Sequence, residues 1–225
     1  MNTRRTMWPG DVQLTSYSSK GPTAIDKIAK PDLVAPGNRV LSLRRISSYL
    51  DNTYPGNRVL ESTYKNYYDN DTSKVYYVLS GTSMATPMVA AAAVLLIEKD
   101  PTLTPDQVKA RLMKTASKFP RVTYSVRDPV TGAAYPIQTD AFSIGAGYLN
   151  ITAALADTTK AAGTAMSPKA FYDAATRTVR IGKSSFPDTV IPIWAAPGFG
   201  LSAVWGDSAV WGDIFASRAL VLGDN

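Results

Sequence analysis

The chain of 225 residues contains no histidine and no cysteine. Without cysteine it has no disulfides, no thiol nucleophile and no cysteine-ligated zinc site. Without histidine it lacks the usual general base near neutral pH and the commonest metal ligand. Any mechanism that needs an imidazole must therefore take it from another polypeptide.

Basic residues outnumber acidic ones, but they do not cluster. The formal net charge is +6, while the densest basic groups are the pairs Arg4-Arg5 and Arg44-Arg45. Nucleic-acid-binding proteins usually concentrate lysine and arginine on one face or along one helix. We therefore expect no nucleic-acid partner.

The sequence also lacks a long unbroken apolar run and an apolar N-terminal segment. The longest apolar run, residues 84–97, has 14 residues and is broken by Thr86 and Pro87. A helix that spans a bilayer needs about 20 residues, so we expect a buried helix there and no membrane contact. Because no apolar stretch follows Arg5, no signal peptide is predicted. The sequence does not indicate in which cellular compartment the protein lies.

Short apolar runs bounded by Gly and Pro predict strands. The runs are residues 33–35, 40–43 and 75–79, and the last is rich in β-branched and aromatic side chains. Residues 44–74 are instead tyrosine-rich and polar with little periodicity, which indicates a long excursion over the surface. It is either a wall of a substrate cleft or a solvent-facing insertion.

Two helices are predicted in the middle of the chain. The apolar one begins at Met84. The second has Thr104 as N-cap, Pro105 at its first position and Gln107 completing a capping box. Its buried face is predicted at every fourth residue: Val108, Leu112 and Ala116.

Ser83 lies where a predicted strand passes through a glycine-containing turn into the apolar helix. Backbone N–H groups at a helix N-terminus are unpaired and positively polarised, so a nucleophile there has an oxyanion donor beside it. Gly81 leaves room for a substrate to approach. The simpler alternative is that Ser83 merely caps the helix, as serines before helices usually do.

The residues around Ser83, GTSMATPMVA, closely resemble the serine signature of the subtilase family of serine proteases. Three further stretches resemble that family in the right order: Tyr17–Pro22 (YSSKGP), Lys30–Gly37 (KPDLVAPG) and Gly145–Asn150 (GAGYLN). The resemblance covers residues 12–157. It is specific because four separate motifs occur in sequence.

The resemblance implies an α/β fold, in which a mostly parallel sheet has helices on both faces. It identifies residues 1–157 as the C-terminal portion of a subtilase catalytic domain, and hence an incomplete one. Residues 158–225 are then a linker and a small β-rich tail. In that tail Ser202–Asp207 (SAVWGD) is repeated without change at Ser208–Asp213.

The resemblance also implies peptide-bond hydrolysis through an acyl-enzyme on Ser83, with Gly81 and Thr82 bordering the oxyanion and the substrate cleft. The family's catalytic aspartate and histidine precede the serine, and neither has a match here, so we expect a truncated chain that is inactive alone. A polypeptide is the expected substrate if the missing part is supplied. The family's calcium cannot be assigned to residues of this chain, and export is only the family's usual property.

Two rival functions remain. An α/β-hydrolase also has its serine in a strand–helix elbow, but its histidine follows the serine, and none occurs after Ser83. A pseudoenzyme or a binding remnant is the non-catalytic alternative. The Trp-Gly-Asp repeats fit it weakly, since such repeats can form β structure or contact a partner.

Overall fold

The computed structural model describes residues 1, 3, 11–65, 71–118, 123–128, 131–174 and 178–181. The predicted Trp-Gly-Asp repeats lie outside the described residues. Five α-helices are described: α1 (Tyr49–Thr53), α2 (Thr82–Lys99), α3 (Pro105–Lys114), α4 (Ala141–Ile144) and α5 (Ile151–Ala156). The described strands are β1 (Val40–Leu43), β2 (Arg58–Leu60), β3 (Thr72–Leu79), β4 (Thr123–Arg127), β5 (Ala134–Gln138), β6 (Ala170–Asp173) and β7 (Thr178–Ile181).

Helix α3 begins where its capping signals predicted. The Thr104 hydroxyl accepts a hydrogen bond from the Gln107 amide at 3.3 Å, and the Gln107 side chain accepts one from the Thr104 amide at 3.1 Å. Val108 and Leu112 are buried on the face that the spacing predicted. The capping box and the buried face are therefore confirmed.

The main core lies between α2, α3 and α5. Its buried members include Ala92 and Leu96 from α2, Leu112 from α3 and Ala154 from α5. The segment that leads into α5 contributes Leu149. The core thus holds α2 from one side.

The prediction that the apolar helix is buried is wrong for most of α2. Only Ala92 and Leu96 are buried, whereas Val94 is 63% exposed and Ile97 is 46% exposed. The physical reason is that the described residues pack against one side of α2 and place no layer on the other. By length and composition alone α2 is also apolar enough to cross a membrane, but this is weak evidence because core helices of soluble proteins pass the same test.

The predicted mostly parallel sheet is not seen among the described strands. They form one three-stranded sheet in the order β1-β3-β2 and two separate hairpins, β4-β5 and β6-β7, and every pair is antiparallel. Among the residues that the structure describes, the one parallel bridge joins Val34 and Tyr148. Helices and strands are thus combined as the α/β class requires, without the sheet arrangement that we predicted.

The described residues 44–65 and 71–74 are more ordered than the predicted surface excursion. They contain α1, β2 and the first three residues of β3, and the carboxylate of Asp51 connects several of them. Asp51 accepts hydrogen bonds from Arg44 Nε at 2.7 Å, from Arg58 Nε at 2.9 Å and from the Ser47 amide at 3.0 Å. Arg44 is the main cause that holds the pKa of Asp51 far below its ordinary value.

The predicted linker after residue 157 lies against α3 over residues 159–165. Arg111 Nη2 donates to the Thr159 carbonyl at 3.0 Å, and the Ala165 amide donates to the Asp106 carboxylate at 2.7 Å. Such contacts fix this part of the segment on the body of the molecule. The domain boundary at residue 157 stays a prediction.

Candidate active site

Ser83 is the second residue of α2, four positions after the end of β3. Two hydrogen bonds fix the connecting turn. The Gly81 amide donates to the Gly37 carbonyl at 2.8 Å, and the Arg39 amide donates to the Ser80 hydroxyl at 2.8 Å. The turn before the serine is therefore tied to the residues that lead into β1.

The contact between Gly37 and Gly81 depends on the absence of a side chain at residue 37. A Cβ added to Gly37 would lie 2.6 Å from the Gly81 carbonyl oxygen and 3.1 Å from the Ala85 Cβ. Tyr17 also reaches this turn, since its hydroxyl donates to the Asn38 side chain at 3.0 Å. Three of the four motifs in the sequence thus meet beside Ser83.

The fourth motif packs behind this turn. The Val34 amide donates to the Gly147 carbonyl at 2.9 Å, and the Ala146 amide donates to the Asp32 carbonyl at 2.9 Å. Gly145 has a φ of 58°, and a Cβ there would lie 2.3 Å from the Pro31 carbonyl oxygen. Only glycine fits such a backbone and such an approach.

The side chain of Ser83 does not cap α2. The N-cap residue is Gly81, and no side-chain capping bond is present at this end of the helix. Ser83 is exposed, and within the described part of the chain its hydroxyl has no hydrogen-bond partner. The capping alternative therefore does not explain the serine.

Two backbone amide groups at the start of α2, beside the Ser83 hydroxyl, are also unpaired. In the first turn the Met84 amide bonds the Gly81 carbonyl at 3.1 Å, while the Thr82 and Ser83 amides have no partner among the described residues. Unpaired amides and the helix dipole attract negative charge to this end of the helix. A Cβ at Gly81 would meet only ordinary contacts, with the Met84 sulfur at 3.5 Å as the nearest atom. The space in front of Gly81 is therefore open.

The carboxylate of Asp32, in the Lys30–Gly37 motif, is occupied by partners other than Ser83. Asp32 is bound to Lys30 at 2.5 Å, to Lys109 at 3.0 Å and to the Ser167 hydroxyl. Burial alone would raise the pKa of Asp32, but these partners hold it below its ordinary value. Burial in turn lowers the pKa of Lys109 despite its pairing with Asp32. Asp32 is thus an ionised residue with a structural role, since it binds Lys30, Lys109 and Ser167.

Within the described ranges, no three His, Cys, Asp or Glu side chains gather closely enough to hold a metal ion. The sequence reasoning missed two features that shape the turn. They are the Gly37–Gly81 contact and the bond from Tyr17, both between residues distant in the chain.

Serine hydrolases place their nucleophile at a strand-to-helix corner of this kind, beside free amides and with an open approach. The model of the subtilase family matches residues 10–165. Since this match covers more than half of the 225 residues, the chain belongs to the subtilase family.

Individual relatives agree with the family match. Serine protease AprX of Bacillus subtilis (strain 168) is 39% identical over 109 residues, which are 48% of this chain and 22% of the relative. Subtilisin-like protease SBT1.6 of Arabidopsis thaliana is 31% identical over 163 residues, 71% of this chain and 17% of the relative. Subtilisin-like protease SBT3.1 of the same plant is 33% identical over 140 residues, 62% of this chain and 15% of the relative. The chain spans less than a quarter of the length of each of these relatives.

Proposed function

We propose that this chain supplies the nucleophile portion of a serine endopeptidase and that Ser83 is the nucleophile. The observation that supports this most directly is the free hydroxyl of Ser83. It is exposed, forms no capping bond and lies beside two unpaired amides at the start of α2. A serine that served only as a cap would lie at the N-cap position and accept a hydrogen bond from the amide two or three residues later.

In the proposed reaction the Ser83 oxygen attacks the carbonyl carbon of a peptide bond while a base accepts the hydroxyl proton. The negative charge that develops on the carbonyl oxygen is stabilised by the Ser83 amide. Protonation of the amide nitrogen then releases the amine product and leaves an acyl-enzyme, which water hydrolyses. Gly81 and Thr82 border the cleft in which the peptide lies.

The base must come from outside these 225 residues, because the chain has no histidine. Removing either the serine or the histidine costs on the order of a millionfold in turnover, a value measured for a subtilisin, itself a member of this family. The chain on its own is therefore expected to show no useful peptidase activity. Its substrates, once the base is supplied, are polypeptides.

The test is a chimera in which this chain replaces the matching region of the Bacillus subtilis relative. The chimera is expected to hydrolyse casein and a chromogenic peptide, and Ser83→Ala is expected to reduce turnover by about a millionfold. Ser42→Ala is the matched control, since Ser42 is an exposed serine of β1. Activity that survives Ser83→Ala would refute the role of Ser83.

A non-catalytic binding role is the second candidate, and the missing histidine favours it. The same chimera separates the two functions. If it folds and binds a peptide substrate but does not cleave it, while the parent relative cleaves it, the chain is a pseudoenzyme portion.

A further inference from the structure

One edge of β1 is open. The Arg44 amide donates to the Val75 carbonyl at 2.6 Å, which continues the antiparallel ladder between β1 and β3 by one residue. Bonded and non-bonded pairs alternate along such a ladder, so Ser42 bonds towards β3, while the backbone groups of Leu41 and Leu43 point away from it. Within the part of the chain that the structure describes, the amides and carbonyls of these two leucines have no hydrogen-bond partner. We call these outward groups the β1 edge.

The side chains along the β1 edge are apolar and exposed. Leu41 is 55% exposed and Leu43 is 78% exposed, and residues two apart in a strand lie on one face. Proteins usually shorten, cover or charge a free strand edge, because its unpaired backbone groups can bind another strand. The β1 edge therefore offers both the backbone groups and the apolar surface that a further strand needs.

An exposed arginine lies at each end of the β1 edge. Arg39 precedes Leu41 by two residues, and Arg45 follows Leu43 by two residues. The ion pairs among the described residues involve neither arginine. The pattern is thus Arg-x-Leu-x-Leu-x-Arg, apolar in the middle and positively charged at both ends. A complementary strand has two apolar residues at alternate positions and an acidic residue at each end.

The sequence beyond the described residues contains a segment with this complementary pattern. Residues 207–213 read DSAVWGD, in which two aspartates enclose Ala209 and Trp211 at alternate positions. The aspartates are six residues apart, as the two arginines are. The segment consists of the last residue of the first SAVWGD repeat and the whole of the second. We call residues 207–213 the tail segment.

We propose that the tail segment pairs with the β1 edge as an additional strand, with Val210 opposite Ser42. In this register an aspartate lies opposite each arginine, and Ala209 and Trp211 lie opposite the two leucines, whichever way the strand runs. Opposite charges and apolar pairs on facing strands each stabilise a sheet. The pairing does not depend on the role proposed for Ser83.

The chain is long enough for this contact. The last described residue is Ile181, and 25 residues separate it from Asp207. Extended, they span about 80 Å, whereas a domain of this length is about 45 Å across. The tail segment can therefore reach the β1 edge from any position of Ile181 on the surface.

A second copy of this chain fits the β1 edge less well. Two identical edges related by a two-fold axis run antiparallel, and their outward groups pair fully when Leu41 of one copy lies opposite Leu43 of the other. Arg39 of each copy then lies opposite Arg45 of the other. Like charges directly opposite each other destabilise a strand pair. The tail segment instead brings opposite charge to both positions.

The first test is a disulfide across the proposed pair, made in the full chain, which has no cysteine of its own. Ser42→Cys with Val210→Cys is expected to form an intramolecular disulfide under mild oxidation, detected by intact mass. Facing residues of paired strands have Cα atoms about 4.5–5.5 Å apart, which a disulfide spans. The matched control is Ser42→Cys with Val204→Cys, because Val204 has the same neighbours in the first repeat. The control is expected to form its disulfide at least about tenfold more slowly, since only docking raises the effective concentration at Val210.

The second test follows amide hydrogen exchange in the full chain. Asp207→Arg with Asp213→Arg is expected to speed exchange of the outward amides, those of Leu41 and Leu43, by at least about tenfold. Asp188→Arg with Asp224→Arg is the matched control, because it makes the same change of charge outside the tail segment. The control is expected to leave both amides as slow as in the parent. The Ser42 amide bonds towards β3 and serves as the internal reference for folding.

Reversal of both charge pairs separates attraction from a mere deterrent against aggregation. Arg39→Asp with Arg45→Asp is expected to speed exchange of the same two amides by at least about tenfold. Combined with Asp207→Arg and Asp213→Arg, these changes are expected to restore slow exchange. Arginines that only discourage edge-to-edge association would give neither the loss nor the recovery.

The inference is overturned if the Leu41 and Leu43 amides already exchange freely in the parent, or if the two disulfides form equally fast. It is also overturned if the combined charge reversal does not recover protection. A disulfide-linked dimer in place of the intramolecular bond would identify a second copy as the occupant and overturn it as well. None of these readouts depends on catalysis, so they are separate from the assay of Ser83.

Discussion

Replacing two adjacent leucines of α2 by alanine tests whether this helix is held from one side only. Leu96 is 1% exposed and belongs to the main core, whereas Leu95 is 39% exposed. The two substitutions remove the same atoms and change helix propensity equally. Any difference between them therefore reports packing.

The expected magnitudes follow from burial. Leu96→Ala empties an enclosed site and is expected to lower the free energy of unfolding by about 2–5 kcal/mol. At Leu95 only part of the side chain leaves water and no enclosed cavity forms, so Leu95→Ala is expected to cost about 1 kcal/mol. Urea unfolding followed by circular dichroism measures both, with the slope against urea unchanged. Equal losses at the two positions would refute the one-sided packing of α2.

Two further predictions concern the turn beside Ser83 and the amino terminus. Gly37→Ala brings a Cβ within 2.6 Å of the Gly81 carbonyl oxygen, and a displacement of about 1 Å near the nucleophile is expected to reduce turnover of the chimera about a hundredfold. Gly56→Ala, whose Cβ meets nothing within 4 Å, is the control, and equal turnover of the two variants would contradict the role of the Gly37–Gly81 contact. Burial lowers the pKa of the Met1 amino group from 8.0 to about 6, so the unfolded chain binds more protons than the folded chain between these values. Stability should therefore rise from pH 6 to pH 8, by up to about 2.7 kcal/mol for a shift of about two units, and acetylation of the amino group should remove most of this rise. No histidine titrates in this range, and Lys118, whose pKa burial lowers to about 8, contributes only at its upper end, so an undiminished rise after acetylation would show that the amino group is not its source.

The elements whose determinants lie close together in the sequence could be predicted from it. The capping box of Thr104 and Gln107 located the start of α3, because both partners lie within one turn. The apolar run after Ser83 likewise predicted α2. The four ordered motifs were sufficient for the family, since each is a contiguous stretch of residues.

What could not be predicted depends on residues far apart in the chain. The order around α1 and β2 comes from the Asp51 carboxylate, which binds both Arg44 and Arg58, and nothing in the local sequence pattern indicates that arrangement. The exposure of α2 could not be predicted either. An apolar sequence indicates that a helix can be buried, but it does not show whether other residues pack against both of its sides. For the same reason the predicted parallel sheet is limited to the bridge at Val34 in the described residues.

The most direct test of whether Ser83 is a nucleophile that requires an external base is labelling with a fluorophosphonate. The adduct is detected by intact-mass and peptide mass spectrometry. The purified chain alone is expected to remain unlabelled, and the chimera is expected to gain one adduct on Ser83. Labelling of Ser83 in the chain alone would show that no external base is needed. An active chimera labelled at any other residue would contradict the assignment of the nucleophile.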